Sequence, residues 1–545
     1  MSENGQNLPE LPTGWVWANA EECTTRITDG EHITPKRSET GVLLLSARNV
    51  QNGFLSFHKV DYVPTEVYES LTKRLKINPG DVLMSCSGTV GRSCVAPSNL
   101  EFALVRSVAV LKPLFGMGKF LSYSIRSPQL QRQINEKKSQ TAQANIFQGK
   151  IKQLLFAVPP LEEQHRIVNK IEELFTQLDA GVDLLKKLKL KLKRYRQAVL
   201  KAAVEGKLTQ DWRAAHQDEL EPASVLLDRI LKERREKWEA DQLAKMEAKG
   251  KIPKDDKWKL KYKEPPAPDT EDLPELPTGW NYTFIESLLS FERTGMKTGP
   301  FGSLLKKHEH MSEGIPVLGI ENIAEMKFIA GSKIHISKEK ATQLSEYSAY
   351  SGDILISRSG TVGEVCVVPK GLGETRISTN LMRLSLAANG MLPLFFCFLF
   401  NGSPIVLNQV SELCKGSTRI FLNQGILKSI FFLVPPIKEQ YQIIENVEYY
   451  LSLVEQINRL IENNLKRAEK LRQSILKEAF EGKLVPQDPN DEPASLLLER
   501  IREEKAQQEA KNKKRKTTTK KKKSRKTTKT KQLESIDASN EEQAL

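Results

Sequence analysis

Apolar residues along this chain follow two different rhythms. From residue 15 to 158, and again from 273 to 434, they come in short alternating runs broken by Gly and Pro. That pattern predicts short strands joined by turns. Val82 to Ser85 and Ser93 to Ala96 are predicted strands joined by a Ser87-Gly-Thr-Val-Gly91 turn, and Ile354 to Ser357 and Val365 to Val368 frame the same turn again. Beyond Pro159-Pro160 the spacing changes. Ile167, Ile171, Leu174, Leu178, Val182, Leu185, Leu188, Leu192, Tyr195 and Val199 recur at steps of three or four, the period of one face of a long helix. Proline suits the first turn, Glu162 and Glu163 complement the positive end of the helix dipole, and Gly206 supplies a stop. Ile443, Val447, Leu451, Val454, Ile457, Ile461, Ala468, Leu471, Ile475 and Ala479 repeat the stripe, with Gly482 as its stop. Two such stripes are expected to pack on each other as a coiled coil; the alternative is that each docks on its own globular domain.

The rhythm repeats because the chain repeats. LPELPTGW occurs from Leu8 and from Leu273; PGDVLMSCSGTVG from Pro79 returns as SGDILISRSGTVG from Ser351. FAVPPLEEQ from Phe156 returns as FLVPPIKEQ from Phe432, VEGKL from Val204 as FEGKL from Phe480, and EPASVLLDRI from Glu221 as EPASLLLERI from Glu492. A repeat this long means two related domains rather than a solenoid unit. The halves match poorly from Thr24 to Lys59 and from Phe291 to Ser332. If they bind different targets, those segments are where the difference belongs.

The expected organisation is an N-terminal segment at 1–14, a first globular domain at 15–158, a long helix at 159–208 and a connector at 209–272. A second globular domain at 273–434, a second long helix at 435–484, a helix at 485–510 and a disordered tail at 511–545 follow. Within the connector, Ser224 to Ala248 is expected to be helical and Lys251 to Asp272 an extended Pro- and Lys-rich linker.

Charge and chemistry refine this picture. The formal charge is +14, but 13 basic residues and no acid lie between Lys511 and Lys531. That stretch cannot bury enough surface to fold. It is either a solubilising tail or a non-specific phosphate binder. Without it and the final 14 residues, which carry four acids, the balance is roughly +5. Cys23, Cys86, Cys94, Cys366, Cys397 and Cys414 form no CxxC, and His308 and His310 lack further ligands at a useful spacing, so no metal site is indicated. The longest apolar run, Met391 to Phe400, is too short to span a bilayer and is expected to be a core helix. A soluble, intracellular protein is expected.

Chemistry-bearing motifs are missing. SGTVG lacks the GK[ST] ending of a phosphate-binding loop, so a structural hairpin is the better reading. The PP pairs are preceded by Val or Glu, whereas an adenine amino-methyltransferase needs an [ND]-P-P-aromatic loop. No Ser/His/Asp or Cys/His set assembles.

The duplicated, ordered motif set resembles the specificity subunit of type I restriction-modification systems across nearly all of residues 8–505. Its carriers are LPTGW, GD-hydrophobic-S-x-SGTVG, VPP[LI]xEQ and R-Q-[AS]-[VI]-L-K-x-A-[VF]-EGKL at Arg196 to Leu208 and Arg472 to Leu484. TGPFGSLLKK at Thr298 to Lys307 is similar to a target-recognition segment of that family. The resemblance implies an α+β fold with an internal pseudo-two-fold repeat: two similar mixed α/β target-recognition domains separated by long paired antiparallel coiled-coil helices. It implies a cytoplasmic, prokaryotic protein without chemistry of its own that reads a bipartite, asymmetric double-stranded DNA target. Two modification subunits would use S-adenosylmethionine to methylate adenine, and restriction subunits would use ATP and magnesium to translocate and cut DNA. A membrane plays no part. The rival readings are a self-contained enzyme and a coiled-coil scaffold without specific DNA binding.

On this view recognition comes from polar side chains. Arg or Lys can bond guanine in a fork, and Asn or Gln does the same for adenine. The candidates are Lys36, Arg37, Arg48, Asn49, Gln51, Arg92, Arg106 and Gln143 in the first half. In the second they are Lys297, Lys306, Lys307, Asn322, Arg358, Arg376 and Arg419. Each competes with the plain alternative of a solvated surface charge. Arg358 stands out because it replaces Cys86 in an otherwise matching turn.

Overall fold

The computed structural model describes residues 8–31, 35–139, 144–250, 253, 255–324, 326–360, 362–414 and 421–511. The chain divides into two compact units, one of residues 1–185 with 463–545 and one of residues 186–462. The units therefore cut across the sequence repeat. Each holds one strand-rich head and parts of both long helices, Leu161–Val204 and Ile437–Phe480, of 44 residues each.

In the first unit a four-stranded sheet runs in the order Arg26–Asp29, Val108–Lys112, Val82–Ser85, Ser93–Val95. A three-stranded sheet orders Asp61–Val63, Val42–Leu45, Phe102–Leu104. Val16–Asn19 pairs antiparallel with Leu155–Val158. The second unit repeats the scheme: Met296–Thr298, Leu381–Leu384, Ile354–Ser357, Val365–Val367, then Ile334–Ile336, Ile315–Leu318, Arg376–Ile377. Asn281–Phe284 pairs with Phe431–Val434. The SGTVG turns join the predicted hairpins in both. The apolar helix Pro393–Gly402 is core, with Phe395, Phe396 and Phe400 fully buried; among the described residues no single helix is long and apolar enough to cross a membrane.

The shared motifs converge on one joint in each unit. In the second, the Trp280 indole donates to Glu439 at 2.9 Å. Glu439 also accepts from Thr209 Oγ1 at 2.6 Å and from Arg213 at 2.5 Å. Gly206 turns the chain out of the first long helix at φ +69°, and a Cβ there would meet the Pro277 ring at 2.8 Å and Trp280 at 3.1 Å. Ala223 N–H then donates to the Gly279 carbonyl at 2.8 Å. The first unit is built alike: Trp15 donates to Glu163 at 2.9 Å, a Cβ on Gly482 would meet Pro12 at 2.4 Å, and Ala494 N–H donates to the Gly14 carbonyl at 2.9 Å. LPTGW, PPxxEQ, EGKL and EPAS are thus parts of one structural contact. Glycine is required where the helix must reverse with no room for a side chain.

Within each unit the helix segments run antiparallel. In the first, Arg472 pairs with Asp179 and lies over the Phe175 ring at 4.5 Å. In the second, Lys189 pairs with Glu462 at 3.1 Å, and Asn446 donates to the Leu208 carbonyl at 3.2 Å. The predicted stripe is buried at Ile167, Ile171, Leu192, Val199, Val447, Val454, Ile461 and Ile475 and open at other positions among them: Leu188 is 40% exposed, Tyr195 46% and Leu471 49%. The connector helix spans Ala223–Glu247. The linker beyond it is not simply extended, because Asp256–Lys261 forms a 3-10 helix and Trp258 and Tyr262 fold back onto Trp238, with ring centroids at 6.1 and 5.4 Å. The basic tail beyond Lys511 lies outside the described residues.

Candidate nucleic-acid interface

The candidate readers separate into buried and exposed groups. Asn49 is fully buried. Its Oδ1 accepts the Ser46 N–H at 3.0 Å and its amide donates to the Ser56 carbonyl at 2.9 Å. Asn322 repeats this in the second unit, accepting from Gly319 N–H at 2.8 Å and donating to the Ile329 carbonyl at 2.8 Å. Both close a short loop after the strand that precedes them. The expectation that they face adenine is corrected: their bonding capacity is used inside the domain.

Arg358 and Arg376 are corrected likewise. Arg358 is 4% exposed, donates to the Leu422 and Thr379 carbonyls at 3.1 Å each, and lies over the Phe421 ring at 4.4 Å. Burial lowers its guanidinium pKa from the ordinary value. Arg376 is 3% exposed and donates to the Ala341 carbonyl at 2.9 and 2.7 Å. Backbone carbonyls satisfy Arg358, and Arg376 adds an ion pair with Glu374 at 2.6 Å to its carbonyl bonds, which is why each buried cation is tolerated.

Most of the exposed group falls on the divergent segments, with Arg106 outside them. Lys36, Arg37 and Arg48 are exposed, and Arg48 and Arg37 share the Asp61 carboxylate at 2.7 and 3.7 Å. Two cations on one acid leave a local excess of positive charge. Gln51 donates to the Arg48 carbonyl at 2.8 Å. Arg92 is half-buried after its turn, and Arg106 is exposed. In the second unit Lys306 and Lys307 are exposed on a 3-10 turn, beside Phe301, which is 66% exposed. Glu309 there is bonded by Lys340 at 2.7 Å, which holds its carboxyl below the usual range. Lys297 pairs with Glu346 and sits over the Tyr347 ring at 4.9 Å. Gln143 and Arg419 lie outside the described residues.

Sequence reasoning missed a polar cavity of about 350 Å³ in the first unit, beside the SGTVG turn, lined by Asp29, Cys86, Arg106, Asn145, Phe147 and Gln148 among others. The available signal was a coupled change. Cys86 stands against Arg358, and Asn145 stands against Phe421, three residues before the matching Gln-Gly pair. Among the described residues no group of three or more His, Cys, Asp or Glu side chains is placed to hold a metal ion.

Comparison with known proteins fits this geometry. The chain belongs to the family described as the type I restriction modification DNA specificity domain, whose model matches residues 39–194 and 297–467. It is 24% identical over 527 residues to the type I restriction enzyme StySPI specificity subunit of Salmonella potsdam, covering 92% of this chain and 97% of that protein. It is 26% identical to the EcoKI specificity subunit of Escherichia coli (strain K12), covering 91% and 97%. In fold it is similar to a chain from a solved structure concerned with complex assembly and conformational transition of the type I R-M system. That likeness has a TM-score of 0.58 at 17% identity, covering 87% of this chain and all of that one. A scaffold that reads no DNA is not favoured by these relatives.

Proposed function

We propose that this chain is the sequence-reading subunit of a type I restriction-modification complex. Each unit reads one half of a split, asymmetric double-stranded DNA target, and partner subunits supply the chemistry. Two modification subunits methylate adenine with S-adenosylmethionine, and restriction subunits translocate and cleave with ATP and magnesium. The observation that carries this reading is the contrast within the repeat. Strand order and the buried asparagines coincide in the two heads, whereas the exposed cations sit on segments that do not match, Lys36 to Arg48 in one and Lys306 to Lys307 in the other. A shared frame with different exposed donors suits two readers of different sequences.

The test is to express the chain with its modification subunit and map methylated adenines in genomic DNA. A split, asymmetric motif is expected. Methylation without a split motif, or turnover by the purified chain alone with S-adenosylmethionine, ATP and magnesium, would overturn the proposal.

A further inference from the structure

Cys86 and Arg358 occupy one position in two copies of one frame. Cys86 N–H donates to the Ser107 carbonyl at 2.8 Å, and its own carbonyl accepts the Ile146 N–H at 2.9 Å. Arg358 N–H donates to the Asn380 carbonyl at 2.9 Å, and its carbonyl accepts the Leu422 N–H at 3.1 Å. A Gln-Gly pair follows in both, and its glutamine amide reaches back to the first strand of the four-stranded sheet: Gln148 to the Ile27 carbonyl, Gln424 to Thr298 Oγ1.

What fills the frame differs. In the second unit the Arg358 guanidinium stacks on Phe421 and is bonded to two carbonyls. In the first, Cys86 replaces the arginine and Asn145 the phenylalanine, and the cavity of about 350 Å³ opens at that place. This lies within the roughly 300–1,000 Å³ of ligand pockets. Arg106 lines it from an exposed position, with its backbone fixed by a bond from its N–H to the Glu31 carbonyl at 3.0 Å. Phe147, 69% exposed, also lines it.

Resting on the DNA-reading function above, we propose that this cavity is a base-reading pocket of the first unit, with Arg106 its specificity-determining residue, and that Arg358 closes the same place in the second unit. The lining favours a base edge over a phosphate. Asp29, paired with Arg74 at 3.7 Å, brings a carboxylate into the wall. A carboxylate repels a phosphate, whereas a base edge offers both donors and acceptors. Arg106 supplies the fork that bonds guanine O6 and N7, and Phe147 gives an apolar face.

The test uses the chain co-expressed with its modification subunit and reads the methylated motif genome-wide. Two variants are compared with the unmodified chain. Arg106→Ala removes the fork from an exposed site. Cys86→Arg with Asn145→Phe rebuilds the plug of the second unit. Each is expected to relax one base position in one half-site, with discrimination falling roughly 10- to 100-fold, while the other half-site stays as it was and reports an intact complex. Full methylation of an unchanged motif by both variants would overturn the pocket and leave the DNA-reading function standing. Weaker methylation at every site with the motif intact would place Arg106 on the phosphate backbone and also overturn it. An unmodified chain that writes no split motif would remove the function on which the pocket rests.

Discussion

Glu163 and Glu439 start the two long helices from the same motif, yet they live in different company. Glu439 is fully buried with three donors: Trp280, Thr209 and Arg213. Glu163 is 1% exposed and bonded by Trp15, and its Oε1 has no hydrogen-bond partner among the described residues. Burial raises its carboxyl pKa against the Trp15 bond. The contrast runs through the heads as well. The second unit buries arginines 358, 376 and 383, at 4%, 3% and 3% exposure, on backbone carbonyls joined for the last two by Glu374 and Asp353, whereas Arg37, Arg48 and Arg106 of the first stay exposed. The lesson is that a residue's worth is set by what its neighbours offer, so identical motifs carry unequal loads, and an arginine adds to a binding surface only where the fold leaves it exposed.

The comparison can be broken first at the joint. Glu439→Ala should destabilise the full chain by about 3–5 kcal/mol, because it leaves the half-buried Arg213 charge and the buried Trp280 and Thr209 donors without their acceptor. Denaturant unfolding would show this, and a change under 1 kcal/mol would mean the three bonds are not coupled. Arg358→Ala comes next. It should cost about 1–3 kcal/mol through two unpaired carbonyls while leaving the methylated motif unchanged; an altered base in the motif would restore Arg358 as a reader. Asn49→Ala and Asn322→Ala should cost similar amounts, about 1–3 kcal/mol each. Values that differ by more than a factor of three would show that the two loops are not equivalent.

Smaller effects sharpen the comparison. Lys307→Ala should lower the log–log salt slope of DNA binding by ~0.9 if its ammonium neutralises one phosphate, with the motif intact; titration of the assembled complex at several salt concentrations measures it. Glu163→Gln should be the mildest change, close to neutral at pH 7. A carboxyl whose folded pKa is raised contributes its favourable proton binding below the unfolded pKa and loses it as pH rises through the folded one. The variant should therefore gain stability relative to the unmodified chain as pH rises above the ordinary carboxylate range, and no pH-dependent difference between the two would contradict the assigned burial.

Much of the frame was legible from the residues. Alternation and turn glycines located the Val82–Ser85 and Ile354–Ser357 hairpins, and the three-to-four spacing, PP starts and glycine stops located both long helices. The candidate site was legible only in part. A buried Arg358 cannot be told from an exposed Arg48 by composition, because its hydrogen-bond partners are backbone carbonyls that leave no trace in the sequence. Asn49 looked like a reader because loop-closing and base-bonding need the same amide. Nor did periodicity show that Leu188 and Tyr195 would stay open while Leu192 between them is covered.

The joints also impose an order on events during synthesis. The head from residue 16 to 158 is made first, but the glycine and helix that close its joint, Gly482 and Ala494 to Ile501, are made last. It cannot borrow the equivalent glycine of its own helix, because Gly206 follows all 44 helical residues and closes the second unit's joint against Pro277 and Trp280. The second unit has all its parts once residue 462 has emerged. At ~5–20 residues per second the first head waits on the order of tens of seconds, with the cleft around Trp15 uncovered. The oldest surface of the nascent chain is thus the last to be sealed, and the hazard of aggregation falls there.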